Sequence, residues 1–304
     1  MYNKKTITQT FILLSVALIW GFGFVAQRVG ADHLPPFSFL MYRGILSSFT
    51  ILPIIFFHDR RVKNHYGLDL RKYNHKELLL AGVICGTALF SGSAFQQIGI
   101  AYTSSAKAGF ISALYVILVP LMSCIFNRGM SKRLWFAVLL SVFGLYAMCL
   151  VKDASFGFGE IMMLLAATSF AIQILAINKF GCRVDGVRLS FTQSIVSIIL
   201  AFIFSLRESY TIQDIASAAP ALLYSGILSG GFAYTLQIIG QDGLDPTIAS
   251  LSLCMESFFS AVGGFLLLNQ VLKPNEIIGS ALMMSALIVA NIGNKKPADK
   301  DSAG

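Results

Sequence analysis

LLLAGVICGTALFSGSAFQQIGIAYTSSA, residues 78–106, is a long stretch without a single Asp, Glu, Lys or Arg. An α-helix rises 1.5 Å per residue, so about 20 apolar residues cross the hydrocarbon core of a bilayer. The run is continuously apolar, whereas the strands of a membrane β-barrel alternate apolar and polar residues. The stretch therefore predicts a transmembrane helix.

Runs of the same kind lie on both sides of this stretch. Seven more are free of the four charged residue types and two hold one charge each: residues 6–27, Pro35–Phe57, 108–127, 134–151, 161–178, 189–206, 215–241, Ile248–Asn269 and 277–294. Backbone polar groups in hydrocarbon must be paired within each segment, as a helix allows. We therefore predict an all-α integral membrane protein with ten transmembrane helices.

The overall composition agrees with lipid as the outer solvent. Of 304 residues, 56% are hydrophobic and 12% are charged, and the mean hydropathy is +0.72. A soluble domain carries about 25% charged residues. We expect a multi-pass protein of the cell membrane, with lipid as its surroundings.

The basic residues predict the orientation of the chain. With ten helices and the N-terminus inside, 17 Lys and Arg residues fall on the cytoplasmic side and five on the outer side. Cytoplasmic loops carry this excess in membrane proteins. We therefore expect both termini, including a polar tail at 295–304, in the cytoplasm. The net charge of +8 then reflects membrane insertion and anionic lipid rather than nucleic acid binding.

The two halves of the chain resemble each other. An offset of 150 aligns Leu18–Phe22 with Thr168–Ile172 and Phe39–Arg43 with Leu189–Gln193. In the later helices, an offset of 141 aligns Gln96 with Gln237 and Tyr115 with Glu256; Gly82-x-x-x-Gly86 and Gly226-x-x-x-Gly230 also fall at nearly corresponding positions.

This resemblance predicts two five-helix repeats, at residues 8–151 and 157–294. Five is an odd number of crossings, so the second repeat must be inverted relative to the first. Inverted repeats are typical of secondary transporters.

These residues resemble the EamA-type transporters of the drug/metabolite transporter superfamily. The resemblance covers about residues 8–294 and depends on the order of several short motifs: Trp20-Gly21, Tyr102–Phe110 followed by Tyr115 and Pro120, Pro246–Leu251 leading to Glu256, and Glu276–Leu282. Two positions depart from the family pattern: Ser257 stands where Pro is common, and Gln270 stands where an acidic residue is common.

The resemblance implies transport of amino acids, related metabolites or lipophilic compounds by alternating access around a central cavity. We expect a secondary transporter, with export as the expected direction, driven by a coupling proton or a counter-solute. A monomer and a homodimer are both compatible with the sequence. A lipid flippase and a passive solute channel stay open as alternatives.

Two charged side chains lie deep within predicted helices. Placing a charge in hydrocarbon costs so much free energy that it indicates a functional or structural role. Arg43 and Glu256 each lie eight residues into their helix, from opposite sides of the membrane. In a functional interpretation, Glu256 binds a cationic group or a proton and Arg43 binds a carboxylate. In a structural interpretation, the two neutralise each other or hydrogen-bond to Ser, Gln and backbone groups.

Polar and aromatic side chains at similar depth complete the predicted substrate-binding set. Its members are Trp20, Phe24, Arg43, Gln96, Tyr115, Gln173, Tyr234, Gln237 and Glu256. For each aromatic or amide residue alone, core packing or a hydrogen bond between helices is the competing interpretation.

Sequence motifs give no support to an enzyme, a cofactor or a metal centre. The sequence lacks a Gly-x-Ser-x-Gly motif, and its four His residues lie in or next to predicted loops. It also lacks the Gly-x-x-x-x-Gly-Lys motif of an ATP-driven pump. We therefore expect transport to depend on a gradient, without a cofactor.

Overall fold

A computed structural model describes residues 4–66, 74–103, 105–125, 130–148, 157–268 and 274–292. Within these ranges the regular structure is helical. The α-helices are α1 (Lys4–Ala31), α2 (Pro36–Tyr66), α3 (His75–Ile100), α4 (Ser105–Ser112), α5 (Tyr115–Ile125), α6 (Lys132–Met148), α7 (Phe158–Phe180), α8 (Gly186–Ser205), α9 (Ile212–Leu223), α10 (Tyr234–Gln241), α11 (Pro246–Leu253), α12 (Glu256–Leu268) and α13 (Pro274–Asn291). A π-helical segment, Tyr224–Ala233, joins α9 to α10.

The predicted all-α membrane fold is confirmed. Eight helical stretches among the described residues are long and apolar enough to cross a membrane. Two of the eight join shorter elements across a break, namely α4 with α5 and α11 with α12. The shorter helices α6 and α13, which have 17 and 18 residues, pack against each other and lie at two further predicted spans, 134–151 and 277–294. The polar tail at 295–304 lies outside the described residues.

The outer surface of the bundle is apolar. Phe49, Phe57 and Ile125 each expose about two thirds or more of their surface, at 66%, 65% and 78%. A soluble monomer rarely exposes extended apolar patches. These side chains therefore face lipid, while serine, glutamine and the two intramembrane charges lie inside.

Helix boundaries repeat at the two offsets read from the sequence. The offset of 150 relates the starts of α2 and α8, and the offset of 141 relates the ends of α3 and α10 and the starts of α4 and α11. Helix packing repeats as well: α1 contacts α12 as α7 contacts α5, and α2 contacts the π-helical segment as α8 contacts α3. The two halves are therefore related by a pseudo-twofold axis.

The two Gly-x-x-x-Gly motifs lie at equivalent contacts between the halves. A Cβ at Gly82 would lie 2.7 Å from Thr192 Cβ on α8, and a Cβ at Gly226 would lie 2.5 Å from Leu46 Cβ on α2. Both distances are shorter than any ordinary carbon–carbon contact. The glycines therefore let the helix pairs approach closely, as small residues do in membranes.

Two of the predicted spans, 108–127 and 248–269, contain a break in the helix within their described residues. The breaks fall at Ala113–Leu114 and at Cys254–Met255, again related by the offset of 141. At each break the backbone hydrogen bond spans three residues instead of four: Val116 N donates to Ala113 O at 3.0 Å, and Ser257 N donates to Cys254 O at 3.2 Å. Pro120 does not lie at the break but inside α5.

Polar contacts join α2 and α8 to the opposite half at both ends of the bundle. We call the end where α1 begins and α2 ends the basic end. There, Arg188 Nη2 at the start of α8 lies 2.8 Å from Asp59 Oδ2 on α2. At the other end, Glu208 accepts hydrogen bonds from the backbone N–H groups of Phe37 and Ser38, at 3.0 and 2.6 Å. The offset of 150 aligns Ser38 with Arg188, so the two contacts are near images of each other.

Candidate functional site: a buried cavity between the halves

The structure brings all nine predicted substrate-binding residues around one cavity. They are Trp20, Phe24, Arg43, Gln96, Tyr115, Gln173, Tyr234, Gln237 and Glu256. The cavity lies between the two repeats and has walls from α1, α2, α3, α5, α7, α10 and α12. Aromatic walls with a few polar groups are the usual lining of a small-molecule site. Whether these residues bind a solute stays a prediction.

Arg43 reaches the cavity from α2 and is held by the π-helical segment. Its Nε donates to Ser225 O at 3.2 Å, and its Nη2 donates to Ser229 Oγ at 3.3 Å and to Tyr234 Oη at 3.4 Å. A π-helix rearranges the ordinary pairing of helix carbonyls, and such segments are frequent at functional sites. Here the local geometry provides a carbonyl acceptor for a guanidinium within the membrane.

Aromatic rings form the wall beside Arg43. The guanidinium carbon lies 5.7 Å from the centroid of the Tyr234 ring, and the rings of Trp20 and Tyr234 are 5.0 Å apart. Trp20 Nε1 donates to Ser229 O at 3.3 Å. The same short segment therefore orients both Arg43 and Trp20, and the aromatic face favours a cation at this position.

Glu256 lies at the break between α11 and α12 and meets its counterpart from the other repeat. Tyr115 Oη donates to Glu256 Oε1 at 3.0 Å. Tyr115 follows the break between α4 and α5, and the two residues are the pair that the offset of 141 aligns. Glu256 is 4% exposed. The two interrupted helices thus meet through equivalent positions at the cavity wall.

The two charges that line the cavity do not pair with each other. No ion pair joins Arg43 to Glu256 in the part of the chain that the structure describes, so direct neutralisation, one form of the structural interpretation, is wrong. Arg43 instead contacts neutral groups, which agrees with the other form of that interpretation. The functional interpretation is untested by this geometry.

Glutamine side chains link the helices around the rest of the cavity. Gln237 Nε2 donates to Gln173 Oε1 at 3.5 Å, and Gln173 Nε2 donates to Gln193 Oε1 at 3.4 Å. Gln96 Nε2 donates to Ser112 Oγ at 3.2 Å. Gln96 and Gln237 are aligned by the repeat, and both line the cavity.

Several buried polar atoms at this cavity lack a hydrogen-bond partner. They include Arg43 Nη1, Gln27 Oε1 and Gln237 Oε1. A buried polar atom without a partner costs about 1–3 kcal/mol. The cavity therefore offers donors and acceptors to a bound polar molecule.

Sequence reasoning missed part of the cavity lining. Gln27, Phe170, Ile174, Ser229 and Leu253 also line the cavity. The offset of 150 aligns Phe170 with Trp20 and Ile174 with Phe24, so the repeat itself carried a signal for these two. Nothing in the sequence pattern singled out Ser229, whose position depends on the π-helical segment.

Fold and cavity define a polytopic helical membrane protein with an inverted repeat around a buried polar chamber, the architecture of membrane transporters. The model of the EamA-like transporter family matches residues 8–150 and 157–292, so the chain belongs to that family and carries two copies of its domain. Family and relatives indicate a membrane transporter rather than an enzyme.

Several curated relatives match nearly the whole chain. An uncharacterized transporter of Archaeoglobus fulgidus is 27% identical over 281 residues, covering 92% of this chain and 84% of the relative. The S-adenosylmethionine uptake transporter of Rickettsia prowazekii is 21% identical over 275 residues, covering 90% and 88%. A solved crystal structure at 17% identity has a TM-score of 0.73 and covers 93% of this chain and 96% of that chain, which shows a shared fold.

Proposed function

We propose that this transporter is a gradient-driven carrier of small organic solutes that bear both a carboxylate and a cationic group, such as amino acids or related metabolites. The solute binds in the cavity between the repeats, with its carboxylate on Arg43 and its cationic group facing Glu256. The single observation that carries the proposal is that both charges line one cavity without pairing with each other.

The charges of Arg43 and Glu256 support a solute that bears two oppositely charged groups. Arg43 keeps Nη1 without a partner, and a carboxylate bound there gains a charge-assisted hydrogen bond. Glu256 accepts a hydrogen bond from Tyr115 and lines the same cavity as Trp20 and Tyr234. A cationic group between these residues gains both an opposite charge and an aromatic face.

One relative supports the same class of solute. S-adenosylmethionine, which the Rickettsia prowazekii protein is named for taking up, carries an α-amino acid group. That relative is named for uptake, whereas our expectation for this chain is export. Direction is therefore a separate question for experiment.

The mechanism we propose is alternating access. The contact of Glu208 with Phe37 and Ser38 and the contact of Asp59 with Arg188 are near images at opposite ends of the bundle. In an inverted repeat, exchange of the two half-conformations opens one end while it closes the other. We further propose that both termini lie in the cytoplasm, because the basic end then faces inward.

The test is counterflow in proteoliposomes that contain the purified protein and an internal mixture of amino acids. Mass spectrometry of both compartments identifies the solutes that move and their direction. Saturation with concentration separates a carrier from a channel, and a fluorescent lipid in the same vesicles tests for flippase activity.

Two variants then test the site. We expect Arg43→Gln and Glu256→Gln to lower the flux of the identified solute at least tenfold. Arg207→Gln and Glu77→Gln remove the same charges outside the cavity and should leave flux unchanged. Undiminished flux in both cavity variants would contradict the proposed site.

A further inference from the structure

A second cavity lies on the other side of Arg43. It is bounded by α2, α3, α8 and the π-helical segment. Arg43 and Tyr234 line both cavities, so they form the wall between them. We call this second cavity the serine chamber, after its four serines, Ser47, Ser93, Ser194 and Ser197.

The serine chamber lies where the two repeats meet. The offset of 150 aligns Ser47 with Ser197 and Gly44 with Ser194, and all four line the chamber. Helices α2 and α8, which contribute them, are equivalent helices that pack directly together. The chamber is therefore part of the repeat interface.

The hydroxyl groups of the chamber lack partners within the protein. Ser47 is 3% exposed, and its Oγ has no hydrogen bond. In the part of the chain that the structure describes, the hydroxyls of Ser93, Ser194 and Ser197 likewise make no hydrogen bond. Serine in a membrane helix commonly bonds to the carbonyl four residues earlier, as Ser252 and Ser285 do here. The chamber serines are thus available as donors to a ligand.

Arg43 supplies the charge. It is 5% exposed, and its contacts are a carbonyl, two hydroxyls and an aromatic ring. Among the described residues no Asp or Glu forms an ion pair with it. A buried guanidinium without a counter-charge is costly, because neutral partners replace its hydration only in part.

The lining chemistry selects the sign of the ligand. Within the described ranges of the chain, no acidic residue lines the serine chamber, so a cation would meet Arg43 without a compensating charge. Tyr234 Oη accepts from Arg43 Nη2, which leaves its own proton free to donate. Hydroxyl and guanidinium donors converge in the chamber. A water molecule bound there in place of an anion would leave the guanidinium charge uncompensated.

We infer that the serine chamber binds a small monovalent anion, of the size of a halide or a carboxylate group, as the counter-charge of Arg43. The anion is either free chloride or the carboxylate of a solute that reaches the chamber. This inference extends beyond the proposed solute site, because the serine chamber is lined by Ser93, Ser194 and Ser197, which do not line the cavity proposed for the solute.

Binding is tested with full-length protein in detergent, with chloride replacing gluconate at constant ionic strength. A Trp135→Phe background leaves Trp20 as the sole tryptophan, and its ring contacts Tyr234 at the chamber wall. We expect Trp20 emission to change saturably with chloride. A parallel titration with acetate tests the carboxylate: a saturable response to acetate at similar concentrations assigns the site to both sources, and a response to chloride alone assigns it to the free ion.

Serine variants locate the effect. We expect Ser47→Ala with Ser194→Ala to weaken the apparent affinity at least tenfold. Ser48→Ala removes another buried, unpartnered hydroxyl from α2 that does not line the chamber, and should stay within twofold. Absence of a saturable response to either anion, or an unchanged affinity in the double serine variant, would overturn the inference. Neither result depends on solute flux. The anion inference can therefore fail while the proposed solute site stands, and the solute site can fail while the anion inference stands.

Discussion

Replacement of Gly226 by Ala tests whether the close approach of α2 and the π-helical segment stabilises the fold. The added Cβ would lie 2.5 Å from Leu46 Cβ and 3.1 Å from Arg43 O. An ordinary contact begins near 3.4 Å, so the helices must separate by about 1 Å, because Leu46 Cβ is fixed to the backbone and a side-chain rotation cannot move it. Such overpacking costs about 1–3 kcal/mol, against a gain in helix propensity of at most about 1 kcal/mol.

Gly23 provides a matched control in α1. A Cβ there would lie 3.7 Å from Ser229 Oγ and 3.9 Å from Tyr224 Cε1, which are ordinary contacts. Gly23→Ala therefore gains propensity without a clash. The stability difference between the two variants should equal the overpacking cost, or on the order of 2–5 °C in apparent melting temperature.

A thiol-reactive fluorogenic dye measures this difference as a rise above the signal of the exposed Cys124 and Cys182, because Cys85 and Cys254 are buried and become reactive on unfolding. Both variants are heated at one fixed rate, since membrane proteins often unfold irreversibly. We also expect Gly226→Ala to reduce solute flux, because Gly226 follows Ser225, whose carbonyl holds Arg43. Equal melting temperatures for the two variants would refute the packing argument.

Three further predictions concern polar contacts. Tyr115→Phe should lower stability by about 1–3 kcal/mol, because buried Glu256 loses its donor; unchanged melting would show that the bond contributes nothing net. Glu208→Ala should lower the free energy of unfolding by about 1 kcal/mol, the usual effect of a lost helix N-terminal acceptor. Thermal unfolding measures this loss, and Glu208→Gln should have a stability between those of the alanine variant and the wild type. Asp59→Asn should lower the free energy of unfolding by less than about 1 kcal/mol, because its contact with Arg188 is partly exposed. The variant should nevertheless make α8 near the basic end more accessible to a cysteine-labelling reagent. Unchanged labelling would contradict a role of this contact in holding that end closed.

Much of the fold could be predicted because the bilayer imposes a strict length on every apolar run. The positions of α1, α3 and α7 follow from the charges that flank them, and both repeat offsets reappear in helix boundaries. The helix breaks could not be predicted in this way. Residues 113–114 and 254–255 are as apolar as their neighbours, so neither composition nor period marks them.

Some site residues could be predicted because charged side chains are rare in the hydrocarbon core of a membrane. Arg43 and Glu256 stand out for that reason, and the repeat adds Tyr115 and Gln96 as partners of Glu256 and Gln237. The π-helical segment gave no such signal, because Gly226, Gly230 and Gly231 are equally typical of close helix packing. Hydrogen bonds to Ser225 and Ser229 depend on that segment and could be known only from the structure.

The bond between Tyr115 and Glu256 joins two residues that the pseudo-twofold axis exchanges. An operation that swaps the halves therefore carries this bond onto itself, whereas it carries the contact of Glu208 onto the site of Asp59 and Arg188. A contact that is its own image has the same length whichever side faces outward. We expect the interrupted helices to turn about this point as a fulcrum, with the bond intact in both states while the contacts at the two ends break in turn.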